Sequence, residues 1–501
     1  MSARDYHDES GYERHSLGGH YLDWGNQPSV LKHYHDLERF PLPAVTSWPE
    51  ASVSELLAAH VPSPSRLIDT TDLARVLTLA HSVTATTRQG GMEFHFRNVA
   101  SAGALYPFEL YVAGAGLKGV KDGLYHHGIV PQQLTLLRRG NLLGEIRAAV
   151  NEPSLPAAGL VFFLTAIFFR SAWKYRDRSY RYDLLDTGHL LESLVLALKS
   201  AGLSCLVQYD FDDAGVNALL GVDPSREVCL AVVSVNLVQE GAGGIDATPE
   251  PLSENAAEAS RTAQHETDYP RVRRVHAVSS EIVLSGRPAL SMEEHLGLEP
   301  SAWEPFPEPS PRQETISYAD AVRRRRSSRN FVKHSLGRDY LDALVDAICA
   351  GNRQSVPAAA DSGSVGVGFL TESVEGLDSG WYLIDRQRRQ TRQVRRGSFI
   401  KAMAEVCLGQ GWLANCALQL IFVTNVDALE TRWGPRGYRY ALLSAGRLGQ
   451  RIYLTATAMR LGCCGIGAFF DREASALLGL GEGSRLLYLM GVGHLRKWSL
   501  P

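Results

Sequence analysis

The sequence lacks the cysteine patterns that mark disulfide scaffolds and structural zinc sites. Its seven cysteines are an odd number, lie scattered along the chain and include no C-x-x-C pair. Scattered cysteines without a pairing pattern are typical of a reducing compartment, so we expect a cytoplasmic protein. The first residues, MSARDYHDESGYERH, contain no apolar stretch, so we also expect no secretory signal.

Long hydrophobic runs and an excess of one charge are missing as well. The longest apolar run, residues 160–169, is too short to span a membrane, and its β-branched and aromatic content predicts a buried strand. The chain has 51 Lys and Arg against 54 Asp and Glu, a formal net charge of −3. It therefore has no overall basic footprint for nucleic acid, and we expect neither nucleic acid nor a membrane as partner.

What is present is an ordinary globular composition in a chain long enough for several domains. The 501 residues are 45% hydrophobic and 21% charged. Residues 1–60 are polar and rich in His and Pro, which predicts an N-terminal extension. Residues 61–238 and 316–501 have globular patterning and predict two domains. Between them, residues 239–315 are rich in Gly, Pro, Ala, Glu and Ser, a composition typical of a linker.

The two globular segments repeat each other. RSYRYDLLDTG at 178–188 parallels RGYRYALLSAG at 436–446, an offset of 258 residues, and the same offset joins Asp213 to Asp471. We therefore predict two copies of one domain.

Each copy is predicted to contain a helix, a strand pair, a buried strand, a long helix and a final strand. In the first copy these are helix 72–80, strands 109–113, 123–127 and 160–169, helix 182–200 and strand 228–235; in the second they are helix 338–349, strands 380–385 and 417–424, helix 440–461 and strand 485–492. Helices mixed with mainly antiparallel strands indicate the α+β class.

A G-x-G-x-x-G motif at 114–119 directly follows a predicted strand. A dinucleotide fingerprint also needs a helix behind its third glycine, whereas another glycine and another strand follow here. The motif therefore predicts a hairpin turn. Because the histidines of residues 1–60 lack ligand spacing, we predict no metal site.

Two short motifs could bind a phosphorylated planar ligand. Arg325-x-Ser327-x-Arg329 opens the second copy, and Arg, Ser and Arg at alternate positions can close on one phosphate. The other reading of this run is a solvated basic patch. Small residues dominate 101–107, which lets the backbone approach a flat ring closely, or simply forms a tight turn.

A Lys-Tyr pair follows the predicted buried strand 160–169 of the first copy. Lys174 and Tyr175 could hold or move a proton, or stabilise an anionic ring. The alternative is a polar loop with the aromatic Trp173 packed beside it. At the corresponding place the second copy has Arg432, without the pair.

These motifs, together with GIGAFFD at 465–471, resemble the nitroreductase-like flavoenzymes. More narrowly, they resemble the SagB-type branch, the thiazole/oxazole-forming peptide dehydrogenases. The resemblance covers both globular copies but not the linker. It implies an FMN cofactor, α+β sandwich domains and flavin sites at the interface of two subunits. One subunit then supplies the Arg/Ser/Arg motif, and the other supplies the small-residue loop beside the ring.

The site residues that this resemblance implies are divided between the two copies. The first copy supplies the loop residues Ser101, Ala102 and Gly103 and the catalytic pair Lys174 and Tyr175; the second supplies Arg325, Ser327, Arg329, Gly465, Ile466 and Gly467, with Arg496 and Lys497 as further phosphate-binding cations. For a second site, the first copy has Arg66 among acidic residues, and residues 356–361 lack the loop motif. We therefore expect two tandem nitroreductase-like α/β sandwich domains packed as an internal pseudo-dimer around one flavin.

The resemblance implies an FMN-dependent oxidoreductase. In its specific form, Lys174 and Tyr175 remove or hold a proton while an azoline ring in a peptide passes a hydride to the flavin, giving a thiazole or oxazole. The partners would then be a small-molecule or modified-peptide substrate and proteins of peptide maturation. Two alternatives stay open: a generic NAD(P)H-dependent reductase of nitro compounds or quinones, and a flavin-free peptide-binding scaffold.

Overall fold

The structure is a computed structural model. It describes residues 1–19, 21–62, 66–89, 92–150, 159–237, 250–253, 256–282, 290–307, 314–350 and 363–496.

The first half contains seven α-helices and nine strands among its described residues. The helices are α1 (Ala3–Glu9), α2 (Val53–Ala58), α3 (Thr70–Ala80), α4 (Leu143–Ala149), α5 (Phe168–Tyr175), α6 (Ser179–Ser200) and α7 (Asp213–Leu220). The strands are β1 (Arg39–Pro41), β2 (Val83–Gln89), β3 (Met92–Arg97), β4 (Phe108–Ala115), β5 (Gly123–Ile129), β6 (Gln132–Arg139), β7 (Gly159–Ile167), β8 (Leu206–Gln208) and β9 (Glu227–Asn236).

The second half, over its described residues, follows the same order. Its helices are α8 (Pro270–Val278), α9 (Tyr318–Arg324), α10 (Arg338–Cys349), α11 (Ile400–Val406), α12 (Val426–Trp433), α13 (Gly437–Ala458) and α14 (Asp471–Leu478). Its strands are β10 (Glu304–Pro305), β11 (Gly366–Thr371), β12 (Gly380–Asp385), β13 (Gln390–Arg396), β14 (Leu418–Asn425), β15 (Gly462–Ile466) and β16 (Ser484–Gly493).

Each half builds one seven-stranded sheet with the same topology. The strand orders are β1-β6-β5-β4-β7-β9-β8 and β10-β13-β12-β11-β14-β16-β15, and neighbouring strands run antiparallel. The central strands β7 and β14 are buried almost throughout, and the long helices α6 and α13 are buried along nearly their whole length. The α+β class and the tandem duplication predicted from the sequence are both confirmed.

The long helices of the two domains cross at a pair of equivalent glycines. A Cβ added to Gly188 of α6 would lie 2.3 Å from the Leu443 carbonyl oxygen and 3.0 Å from the Cα of Gly446 in α13. A Cβ on Gly446 would lie 2.1 Å from the carbonyl oxygen of Leu185. Only glycine permits this backbone contact, so the two domains pack as an internal pseudo-dimer with α6 and α13 at its centre.

Two equivalent ion-pair clusters join the domains. Arg178 and Arg181 at the start of α6 each contact Asp471 of the other domain at 2.6 Å. Arg436 and Arg439 form the same pattern with a buried aspartate, Asp213, at 2.5 Å. Burial alone would raise the pKa of Asp471, but the nearby Arg178 and Arg181 hold it well below its usual range.

The helices outside the predicted domains belong to the duplication too. The His7 carbonyl of α1 accepts a hydrogen bond from Arg181, and the His276 carbonyl of α8 accepts one from Arg439. The Ser10 hydroxyl also accepts a hydrogen bond from Arg181, and the Ser279 hydroxyl accepts one from Arg439. The repeat therefore extends into the N-terminal extension and into residues 239–315, whose composition resembles that of a linker.

The G-x-G-x-x-G motif begins at the end of β4 and continues into the connection to β5, which pairs with β4 as an antiparallel hairpin, so it has the hairpin role predicted from the sequence. The buried strand predicted over 160–169 is shorter: β7 ends at Ile167, and the next two phenylalanines begin α5. Among the described residues, no helix has both the length and the apolar character needed to cross a membrane.

Candidate active site

A cavity of about 580 Å³ lies between the two domains and receives residues from both. Eleven of the thirteen residues predicted for the site line it: Ser101, Ala102, Gly103, Lys174, Tyr175, Arg325, Ser327, Arg329, Gly465, Ile466 and Gly467. Arg496 is exposed and does not line the cavity, although its backbone N–H donates to the Asn330 carbonyl next to Arg329. Lys497 lies outside the described residues.

The small-residue loop is held by a buried carboxyl group, Asp186 of α6. The Ser101 hydroxyl donates to Asp186 at 2.6 Å, and the Ala102 N–H donates to the same oxygen at 3.0 Å. Ser101 Oγ in turn accepts a hydrogen bond of 2.8 Å from the Tyr106 N–H. Burial raises the pKa of Asp186 to about 7, although these two donors oppose the shift.

The loop adopts a left-handed backbone conformation at three positions. The φ angles are +64° at Gly103, +55° at Ala104 and +46° at Tyr106. A Cβ on Gly103 would lie 2.8 Å from Tyr175 Oη and 3.2 Å from Lys174 Nζ. Glycine therefore lets the loop close directly over the Lys-Tyr pair, while Asp186 holds the start of the loop.

Lys174 and Tyr175 lie in the last turn of α5. The sequence predicted them directly after the buried strand, with a polar loop as the alternative, and the helix was not predicted. The strand ends earlier because Phe168 and Phe169 turn into the helix. Burial, with a further contribution from Arg329, lowers the pKa of Lys174. Burial raises the pKa of Tyr175 above its ordinary value, so its phenol keeps its proton.

The Arg/Ser/Arg segment follows α9 and faces the first domain. Arg325 is buried and donates to the backbone carbonyls of Asn98 and Arg97, both at 2.9 Å. Its Nη1 has no hydrogen-bond partner among the described residues. Ser327 and Arg329 are more exposed and line the cavity. Arg325 thus joins the two domains and leaves one buried donor for a ligand.

Gly465 in β15 and Gly467 directly after it let aromatic side chains approach the backbone. A Cβ on Gly465 would lie 1.7 Å from Tyr488 Oη, and one on Gly467 would lie 2.5 Å from the Tyr182 ring. Tyr453 links this wall to the Arg/Ser/Arg segment, since its hydroxyl lies 2.9 Å from Ser327 Oγ and accepts from the Gly465 N–H at 2.7 Å.

Sequence reasoning missed Asp186, Tyr453 and Tyr488 as residues of this cavity. A signal for them existed, because each is polar where the other copy has a different residue. The repeat sets Asp186 against Ser444 and Tyr453 against Val195. These cavity residues thus stand among the positions at which the two copies differ.

At the equivalent place on the other side of the pseudo-dimer, the described residues differ from those of the first site. The counterpart of Gly467 is Tyr209, which is buried with its ring 5.8 Å from that of Tyr440. A buried ion pair of 2.8 Å joins Arg447 to Glu192 at the position of the neutral His189–Gln450 contact of the first site. These side chains leave the two halves of the molecule chemically unequal.

Arg66, the arginine that the sequence offers for a second site, is paired with a carboxylate of its own domain. It is half exposed and forms two hydrogen bonds with Asp72, of 2.7 and 3.0 Å. Residues 356–361, for which the sequence predicts no loop motif, lie outside the described residues. Among the described residues, no group of His, Cys, Asp and Glu could hold a metal ion.

The fold and the interdomain cavity define a two-domain protein whose halves share one site. Residues 63–235 and 322–494 each match the Nitroreductase family. The chain therefore belongs to the nitroreductase family of oxidoreductases, with two family domains in tandem. The resemblance inferred from the short motifs is confirmed at this level.

Individual relatives agree with this assignment. A nitroreductase-family protein of Methanocaldococcus jannaschii is 26% identical over 182 residues, 36% of this chain and 92% of that protein. The trifolitoxin-processing protein TfxB of Rhizobium leguminosarum bv. trifolii is 30% identical over 168 residues, which span 32% of this chain and 45% of TfxB. A nitroreductase-family crystal structure from Anabaena variabilis ATCC 29413 superposes with a TM-score of 0.78 at 26% identity, covering 99% of this chain and all of that one.

Proposed function

We propose that the interdomain cavity binds one FMN and that the chain is an FMN-dependent oxidoreductase. The observation that carries the proposal is the composition of the cavity wall. One domain supplies Arg325, Ser327 and Arg329, and the other supplies the small-residue loop with Lys174 and Tyr175. This is the division of parts that the family resemblance implies for a flavin site between two subunits.

The residues present fit a phosphorylated planar group. Arg325 Nη1 is a buried donor without a partner among the described residues, and such a group is costly unless a ligand satisfies it. Arg329 and the Ser327 hydroxyl would complete the phosphate contacts. The loop at Gly103 presents backbone instead of a side chain, as close approach to a flat ring requires.

When bound, FMN would supply hydride transfer, and side chains of the protein would accept the proton and donate hydrogen bonds. Burial lowers the pKa of Lys174, the direction in which a proton-accepting amine must be shifted. Because the pKa of Tyr175 is raised, its hydroxyl is suited to donating a hydrogen bond. We therefore assign Lys174 as the base and Tyr175 as the donor that orients the reacting group.

We further propose a substrate that carries an azoline ring in a peptide, which is oxidised to a thiazole or oxazole. The Lys-Tyr pair supports this choice, since aromatisation of the ring needs both a hydride acceptor and a base. The likeness to TfxB, a trifolitoxin-processing protein, points in the same direction.

The first test is an absorbance spectrum of the purified protein, followed by release and identification of the flavin. Arg329→Ala should weaken FMN binding about 10- to 150-fold, because it removes charge-assisted hydrogen bonds. Arg66→Ala is the matched control and should leave FMN binding unchanged, since Arg66 is paired with Asp72. A colourless protein would favour the peptide-binding scaffold, and flavin loss in Arg66→Ala alone would contradict the site.

The second test compares substrates on the flavin-loaded protein. We expect a thiazoline-containing peptide to be oxidised with oxygen or a dye as final acceptor. Rapid NAD(P)H-dependent reduction of nitro compounds or quinones, with no thiazoline oxidation, would identify a generic reductase instead.

A further inference from the structure

The first domain carries a hairpin that the duplication does not account for. Between α3 and β4 the first copy has 27 residues, whereas 16 residues separate α10 from β11. The additional length accommodates β2 and β3, which form a separate two-stranded antiparallel sheet. The insertion is thus in the copy that supplies the small-residue loop and the Lys-Tyr pair.

The outer edge of β2 is open for hydrogen bonding. In the described part of the chain, β2 and β3 pair only with each other. The Thr84 carbonyl points away from β3, since it accepts a 3.1 Å hydrogen bond from Arg326 of the other domain. Outward and inward groups alternate along an antiparallel strand, so the backbone groups of Thr86 and Arg88 also point outward. Both residues are exposed.

This edge leads directly into the interdomain cavity. Arg326, at the Thr84 end of the edge, lines the cavity. So does Phe96, which pairs with Ala85 across the hairpin and keeps 37% of its surface exposed. A chain lying along β2 would therefore arrive at the cavity mouth next to an apolar ring.

We propose that an extended segment of the peptide substrate adds to the outer edge of β2 as a third strand and so delivers its reactive ring to the cavity. The inference rests on the proposed function. Continuity with the cavity identifies the occupant, because a strand added here must point at the site. The exposed side chains along the edge, Thr86, Thr87 and Arg88, are polar, and Arg88 is paired with Glu93 at 3.2 Å. Recognition would thus use main-chain hydrogen bonds and would tolerate different peptide sequences.

The test compares a long and a short ligand by fluorescence anisotropy. The long probe is a fluorescein-labelled peptide of about twelve residues with one internal thiazoline, long enough to cover β2; the short probe is labelled thiazoline with one residue on each side. The wild-type protein should bind the long probe more tightly. The double variant Thr86→Pro/Arg88→Pro removes two outward N–H groups but no backbone hydrogen bond between β2 and β3. It should weaken binding of the long probe at least about tenfold while leaving binding of the short probe unchanged.

The matched control is Thr86→Ala/Arg88→Ala, which changes the same side chains but keeps the N–H groups and should bind like the wild type. Equal weakening of both probes by the proline variant, or equal affinity of the wild type for both, would overturn the proposal. If the proline variant fails to fold, hydrogen exchange of the wild type decides: the Thr86 and Arg88 amides should slow on addition of the long probe, and unchanged rates would refute the docking.

The proposed function and this docking can fail separately. Oxidation of the short thiazoline without any dependence of binding on β2 would retain the enzyme and remove the docking site. Binding that depends on β2 in a protein that oxidises neither probe would retain the docking site and remove the proposed enzyme activity.

Discussion

At the scale of single residues, burial drives the pKa values of Lys174 and Tyr175 in opposite directions. It disfavours the charged form of each, so the amine loses its proton more easily and the phenol holds its proton more firmly. Both shifts agree with the proposed roles of Lys174 as the base and Tyr175 as the hydrogen-bond donor.

Replacing either group should therefore affect turnover more than cofactor binding. We expect Lys174→Ala and Tyr175→Phe to retain flavin and to lose about 10²-fold or more in kcat on a thiazoline peptide. The measurement is steady-state kinetics on variants matched for flavin content. Arg432→Ala changes the equivalent residue of the other domain and should have wild-type kcat. Unchanged kcat in the Lys174 and Tyr175 variants would reduce the pair to a packing role.

Asp186 should make stability depend on pH in an unusual direction for a carboxyl group. Its pKa is about 7 in the folded protein and about 4 in an unfolded chain, so its contribution is complete below about pH 4 and is lost as the pH rises through 7. Asp186→Asn cannot ionise. Its free energy of unfolding relative to wild type should rise by up to about 1.4 kcal/mol per pH unit between these values. Urea denaturation across pH 4.5 to 7.5 measures this difference, and parallel curves would contradict the shift.

At the scale of elements, the crossing of α6 and α13 positions the whole site, because each helix supplies residues to the cavity. Gly188→Ala would place a methyl group within 2.3 Å of the Leu443 carbonyl and must separate the helices. We expect a loss of about 1–3 kcal/mol or more in stability and weaker flavin binding. Gly144→Ala in α4 is the control, since a Cβ there has nothing within 4 Å. Thermal unfolding and flavin titration of both variants check the expectation.

The elements also show what a sequence can predict and why the rest escapes it. Helix 338–349 and strand 380–385 were predicted with their observed bounds, because apolar periodicity and turn residues coincide there. The end of β7 was misplaced because Phe168 and Phe169 are as apolar as the strand before them. The hairpin β2–β3 was missed because it forms a sheet of its own, and the Thr-rich strand β2 shows no sustained alternation of apolar and polar residues.

The residues of the candidate site also fall into those that the sequence predicted and those that it did not. Local motifs predicted the loop, the Lys-Tyr pair and the Arg/Ser/Arg segment, because each is contiguous in the chain. Asp186 and Tyr453 act through tertiary contacts with those motifs and have no local signature. Only the fold brings them to the cavity.

At the scale of the molecule, duplication and divergence leave the two equivalent places between the domains unequal. At the second place, Tyr209 stands where the first has Gly467, and the buried Arg447–Glu192 ion pair stands where the first has the neutral His189–Gln450 contact. We therefore expect close to one FMN per polypeptide, measured as released flavin against protein concentration by amino-acid analysis. A ratio near two would show that the second place also binds.

The two ion-pair clusters and the glycine crossing join halves that are already parts of one covalent chain. A site shared between separate subunits disappears on dilution, because the subunits dissociate when their concentration falls below the dimer dissociation constant. In a single chain the partner half is present at a fixed effective concentration, on the order of millimolar even for a flexible connection. Site assembly in this protein is therefore independent of its abundance, and a cell that makes only a few copies still obtains a complete cavity from each one.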